Sequence, residues 1–237
     1  MSVKVILFDL DGTLLPMEQN VFVKTYFGLL AQSLAQYGYE PKKLIEAVWA
    51  GTNAMVKNDG SKTNEEVFWD TFVEFFGEQS RKDISKFEDF YKEHFDKVQV
   101  SCGFNPEAKN AVEQIKKMGF RTVLATNPIF PAIATKKRIK WAGLKPEDFE
   151  FYTTYENSKS CKPNLDYYRS IVDYLGVKPQ ECLMVGNDMS EDMVAKELGI
   201  KVFLLTDCII NREGKDISGY PNGDFSKLML FVKSLKK

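Results

Sequence analysis

Residues 3–16 read VKVILFDLDGTLLP, and both the fold and the chemistry of the chain turn on them. Val3, Val5, Ile6, Leu7 and Phe8 suit a strand buried on both faces, and the run stops abruptly at Asp9-Leu10-Asp11-Gly12-Thr13. Alternation along a strand sends residues two apart to the same side, so the carboxylates of Asp9 and Asp11 are expected to share a face. Two like charges that close repel unless a cation or a proton lies between them. Gly12 permits a sharp turn directly after the strand.

Working outward, the later part of the chain alternates two patterns. RTVLAT (121–126), FEFYTTY (149–155), CLMVG (182–186) and KVFLLT (201–206) read as buried strands. PEAKNAVEQIKKMG (106–119), PAIATKKRIKWAG (131–143), NLDYYRSIVDYLG (164–176) and SEDMVAKELG (190–199) read as the helices between them, each closing on Gly. Strand-helix alternation predicts an α/β fold with a doubly wound, Rossmann-like parallel sheet. Residues 16–100 break the rhythm. They hold no strand pattern and carry aromatic residues at helical spacing, Phe22, Tyr26, Phe27, Trp49, Phe68, Trp69, Phe72, Phe75 and Phe76 among them, which predicts the core of a small helical bundle. The division expected is a core of residues 1–15 and 101–237 with an all-helical insertion at 16–100, joined near 14–18 and 100–105. The insertion should lie over the strand ends, where open α/β sheets bind ligands.

Composition narrows the function classes. Of 237 residues, 44% are hydrophobic and 27% charged, and the formal net charge is -1, which removes the bulk attraction that a nucleic-acid or membrane-surface binder uses. No stretch has the length of a membrane span, and MSVKVILFDL is too short an apolar run for a secretory signal, so a cytoplasmic chain is expected, as a monomer or small homo-oligomer. Cys102, Cys161, Cys182 and Cys208 form no CxxC pair and are read as unpaired thiols. His94 is the only histidine and lies in the amphipathic KFEDFYKEHFDKV, which leaves no basis for a zinc site and little for a Ser-His-Asp triad.

Polar residues out of character with their strands stand at each strand end: Asp9 and Asp11, then Thr126-Asn127, then Asn187-Asp188 with Asp192 beyond, while Lys162-Pro163 precedes a helix. In a parallel sheet these ends lie on one edge and converge. Singly each is commonplace, since a Thr after a strand is usually a helix cap. Together, and in this order, they are specific.

The chain resembles the haloacid dehalogenase-like (HAD) superfamily, most of whose members are phosphatases. It shows that family's four motifs in order: DxDGT at 9–13, Thr126, Lys162 and an acidic loop at 186–192, with residues 16–100 where the family inserts a helical cap domain. The resemblance implies a Mg²⁺-dependent phosphohydrolase of a small phosphorylated metabolite. It implies that Asp9 attacks phosphorus to form an aspartyl-phosphate, and that Asp11 handles the proton of the leaving oxygen and of the hydrolytic water. Thr126, Asn127 and Lys162 would hold the phosphate. Mg²⁺ would be held by the Asp9 side chain, the Asp11 carbonyl and the acidic loop. That loop reads Gly186-Asn187-Asp188-Met189-Ser190-Glu191-Asp192, where the family usually has Gly-Asp. Counting from Gly186 gives Asn187 as the ligand; the need of Mg²⁺ for negative charge favours Asp188. Asp192 would orient Lys162, and Glu191 is expected to be a solvated first-turn residue.

Three other readings belong to the same fold. A 2-haloacid dehalogenase would by resemblance need no metal and lack the second acid of the first motif, against which Asp11 stands. A phosphomutase differs in what accepts the phosphoryl group. A non-catalytic binding domain would be expected to have lost Asp9 or Lys162. In the insertion, Lys24, Asn53 and Lys57 could reach a polar leaving group, although a solvated face is the simpler reading for each.

Overall fold

The computed structural model describes residues 2–236. Its frame is a six-stranded sheet in the order β3-β2-β1-β4-β5-β6, every neighbouring pair parallel. The strands are β1 (Val5–Phe8), β2 (Arg121–Leu124), β3 (Phe151–Tyr152), β4 (Cys182–Gly186), β5 (Lys201–Leu205) and β6 (Asn222–Gly223). β1 lies in the middle of the sheet, and all four of its side chains are buried. Alternation divides them. Val5 and Leu7 join Val123, Met184, Val202 and Leu204 against one layer, and Ile6 and Phe8 join Leu124, Leu183, Val185 and Phe203 against the other. Covering on both faces is what an apolar parallel strand requires.

The crossover helices have conventional sequence causes. α5 (Pro106–Lys117) starts at the Asn105 cap with Pro at its first position, and α7 (Leu165–Leu175) runs from the Asn164 cap to Gly176 at φ +64. α6 (Ala132–Trp141) occupies the crossover between β2 and β3, and α8 (Phe225–Ser234) closes the chain. β6 and α8 were not foreseen in the sequence. The expected helix 190–199 is a short 3₁₀ segment, Met193–Leu198, because residues 190–192 are used in a turn around the Asp188 side chain.

Between β1 and α5 the described residues form helices only. α1 (Gln19–Leu34), α2 (Pro41–Val56) and α3 (Asn64–Phe76) are followed by α4 (Ile84–Asp89), which runs on through a π turn and a 3₁₀ segment to Ser101. α3 begins with a reciprocal cap between Thr63 and Glu66. The aromatic side chains pack together, Phe72 lying 5.0–5.3 Å from the rings of Trp69, Phe76 and Phe87. The two strands of chain that join this block to the sheet run side by side: Met17 bridges Cys102, and Gly103 N donates to Pro16 O at 2.7 Å. A second attachment comes from Asn64, fully buried, whose Nδ2 donates to Pro128 O at 3.1 Å and lies 3.3 Å from Cys161 Sγ.

Candidate active site

The sheet register puts Asp9 one step past Phe8, which pairs with Leu124 on one side and Val185 on the other. Asp9 is therefore flanked by Ala125 and Gly186, and its amide donates to Val185 O at 2.9 Å. Its Oδ1 accepts from Lys162 Nζ at 2.9 Å and its Oδ2 from Thr13 Oγ1 at 3.0 Å. Lys162 is wholly buried and also donates to Asp192 Oδ1 at 2.6 Å. Burial alone would pull the lysine down; the carboxylates of Asp192 and Asp9 outweigh it and hold the ammonium well above its ordinary value. Burial pushes the Asp192 carboxyl up, against the pull of Lys162. Gly186 leaves the room this pair needs, since a Cβ there would collide with the Asp192 carboxylate.

The acidic loop separates its two candidates. Asn187 Oδ1 lies 3.0 Å from Thr13 Oγ1, and its Nδ2 donates to Cys208 O at 2.6 Å. Gly12, at φ +86, faces the same amide, and a Cβ there would overlap Asn187 Nδ2. The Asp188 carboxylate turns instead into its own loop, where Oδ1 accepts from the amides of Ser190 and Glu191 at 2.7 and 2.9 Å. One oxygen of Asp188 is thus used as a turn cap, while the Asn187 oxygen stands beside Thr13.

Asp11 is half-buried and paired with Arg138, a fully buried guanidinium on α6 that also lies 4.4 Å over the Phe130 ring. Burial, opposed by Arg138 and helped by Asp9, raises the Asp11 carboxyl above its usual range. Its Oδ1 has no hydrogen-bond partner among the described residues. Arg138 escaped the sequence reading because KKRIK resembles a solvated run. The signal was positional: Ala134, Thr135, Ile139 and Ala142 place residue 138 on the buried face of α6.

Thr126 is buried at the end of β2, and its carbonyl accepts from Tyr167 Oη and Thr153 Oγ1 at 2.8 and 2.6 Å, while its hydroxyl has no partner among the described residues. Asn127 links the remaining segments: Oδ1 accepts from Lys162 N at 3.3 Å and Nδ2 donates to Glu191 Oε2 at 3.1 Å. Glu191 is accordingly half-buried rather than freely solvated, and burial lifts its carboxyl to about 7. Lys24, Asn53 and Lys57 are exposed, and the four cysteines are free thiols.

A buried lysine thus stands between two carboxylates at the carboxyl edge of a parallel sheet, where open α/β folds bind ligands. The family model described as haloacid dehalogenase-like hydrolase matches residues 3–199, and the chain belongs to that family of hydrolases. It is similar to the glyceraldehyde 3-phosphate phosphatase of Methanocaldococcus jannaschii, 27% identical over 237 residues and 99% of each chain. Among solved structures it is similar to a 2-haloacid dehalogenase from Pseudomonas syringae pv. tomato DC3000, at TM-score 0.64, 19% identity and coverage of 99% of this chain and 100% of that one. It is similar also to a HAD-family enzyme of Bacteroides thetaiotaomicron in complex with magnesium and inorganic phosphate, at TM-score 0.52, 19% identity and coverage of 92% and 98%. These structural likenesses establish the shared fold.

Proposed function

We propose that the protein is a Mg²⁺-dependent phosphatase of small phosphate monoesters, in which Asp9 is the nucleophile and residues 16–100 form a cap over a core of 1–15 and 101–237. The observation that carries the reading is the Lys162 ammonium held between Asp9 and Asp192. An isolated buried lysine is costly; one fixed beside a carboxylate oxygen suits a transferring phosphoryl group, which demands positioning and charge neutralisation above all.

The residues fit a magnesium ion. Among the described residues no three His, Cys, Asp or Glu side chains form a cage for a metal, and Mg²⁺ does not ask for one: it takes one or two carboxylates and fills its octahedron with waters and substrate oxygens. Asp9 Oδ2 and Asn187 Oδ1 both stand 3.0 Å from the single hydroxyl of Thr13. That hydroxyl has one proton to share between two oxygens that together offer four lone pairs, so lone pairs are left over for a cation. The ion would be held by the Asp9 carboxylate, the Asp11 carbonyl and the Asn187 amide oxygen. When bound it offsets the repulsion between Asp9 and a phosphate dianion, several kcal/mol at an effective dielectric of about 20.

The chain's own groups do the rest. The Asp9 carboxylate attacks phosphorus and carries the phosphoryl group as an acyl phosphate. Lys162 and the Thr126 hydroxyl hold the phosphoryl oxygens, and Asn127 keeps Lys162 and Glu191 in register. The raised Asp11 carboxyl donates its proton to the departing alkoxide, then accepts one from the water that cleaves the acyl phosphate. Asp11, placed and paired in this way, favours phosphate over haloacid chemistry. Hydrolysis of an aryl phosphate in Mg²⁺ and in EDTA tests the reading: it requires activity with the metal and none without, and equal rates in both would exclude it.

A further inference from the structure

The helical block and the loop after β2 enclose a cavity of about 140 Å³ whose wall reaches Asp11. That is close to the ~150 Å³ of an engineered apolar cavity that admits benzene. Phe22, Tyr26, Phe27, Trp49, Trp69 and Phe130 give it an aromatic lining. Its charged lining residues are Asp11, paired with Arg138, and Glu88, paired with Lys92; among the described residues no Lys, Arg or His lines it. The guanidinium nearest in chemistry, Arg138, is committed to Asp11 and to the Phe130 face.

On the phosphatase reading above Asp11 protonates the leaving oxygen, so what that oxygen carries would extend from Asp11. The space beside Asp11 in the helical block is aromatic and ring-sized. A carboxylate or second phosphate in it would be desolvated with no cation free to pair with it among the described lining residues. An apolar ring would bury its surface there. We propose that the leaving group is an uncharged, largely apolar alcohol of about one benzene ring in size, seated in this cavity, so that the substrate is its phosphate monoester. This rests on the phosphatase reading above and narrows it: anionic leaving groups such as glycolate, and polar ones such as glyceraldehyde, are poor fits.

The test has a binding arm and a kinetic arm. In the binding arm, saturation-transfer NMR is recorded on the whole protein with benzyl alcohol and with glycolate. Benzyl alcohol should receive saturation and glycolate should not. The signal should vanish in Thr52→Phe or Val23→Phe, either of which places a ring in the cavity from a different helix. In the kinetic arm, with Mg²⁺, benzyl phosphate should exceed phosphoglycolate in kcat/KM by about 100-fold, the scale on which apolar pockets discriminate. The ratio of kcat/KM for benzyl phosphate over methyl phosphate should fall at least tenfold in Thr52→Phe. Phosphoglycolate turned over as well as benzyl phosphate, or benzyl alcohol binding unchanged in both filled variants, would overturn the inference while leaving a phosphatase. No hydrolysis of any ester, with benzyl alcohol still bound in the cavity, would overturn the phosphatase reading instead and support the cavity's preference.

Discussion

Lys162 Nζ and Asp9 Oδ1 stand 2.9 Å apart across 153 residues of chain, both nearly out of water. The contact joins the end of β1 to the segment before α7, and Asp192 closes it from the β4 side. Most of the site is built outward from this pair.

Asn187 and Asp188 are separated by what their side chains do. Asn187→Ala should raise the Mg²⁺ concentration for half-maximal rate by about tenfold or more, each ~1.4 kcal/mol of lost binding being a factor of ten. Asn187→Asp, which adds charge at the same place, should lower it. Asp188→Ala should leave Mg²⁺ demand nearly unchanged and destabilise the fold by roughly 2 kcal/mol, through the loss of two amide bonds to a carboxylate. Titrating rate against Mg²⁺ and melting each variant checks this; a larger Mg²⁺ effect in Asp188→Ala than in Asn187→Ala would return the ligand role to Asp188.

Arg138 is paired with Asp11 and is expected to act through it. Arg138→Met should keep the helix and the apolar contacts while leaving Asp11 without its partner. A 10- to 100-fold loss in kcat is expected, with a stability loss of roughly 3 kcal/mol, as for other buried pairs broken on one side. Unchanged kcat in a folded Arg138→Met would show that Asp11 needs no positioning.

A contact within the helical block is expected to depend on pH. The Tyr39 hydroxyl, buried among Phe72, Phe76 and Phe87, donates to Asp83 Oδ2 at 2.8 Å, and Lys86 pairs with the other oxygen. Burial would raise Asp83; the bonds from Lys86 and Tyr39 outweigh it and lower its carboxyl. A lowered carboxyl stabilises the fold above the unfolded value near ~4, and that contribution fades as pH falls through the folded value. Tyr39→Phe should therefore cost about 1 kcal/mol at neutral pH, with the gap to the native protein closing only in acid. Urea melts of the two proteins across pH would reveal it; a gap that widens in acid would contradict the assignment.

The first strand and the order of the motifs were legible because a buried parallel strand is a continuous apolar run and the residues that end it are charged. Asp9, Thr126 and Lys162 could be read as candidates only together, from the order of such breaks. The choice between Asn187 and Asp188 could not, because charge says what a metal prefers and not which way a side chain turns; the two amides that claim Asp188 belong to a loop with no periodic pattern. Arg138 and Glu191 were missed for the related reason that a charged residue on a helix reads as solvated until its buried neighbours are counted. β6, two residues long, carries no pattern at all, and α8 escaped although its amphipathic face was present in the sequence.

The central claim is that Asp9 becomes phosphorylated during turnover. Rapid acid quench of the enzyme with a phosphate monoester and Mg²⁺, followed by mass spectrometry of the peptide that carries Asp9, measures this directly. A phosphoryl group on Asp9 that appears within one turnover, decays as product forms and is absent in Asp9→Asn is the predicted result. Steady release of phosphate with no acyl phosphate at any quench time, or undiminished turnover by Asp9→Asn, would contradict it.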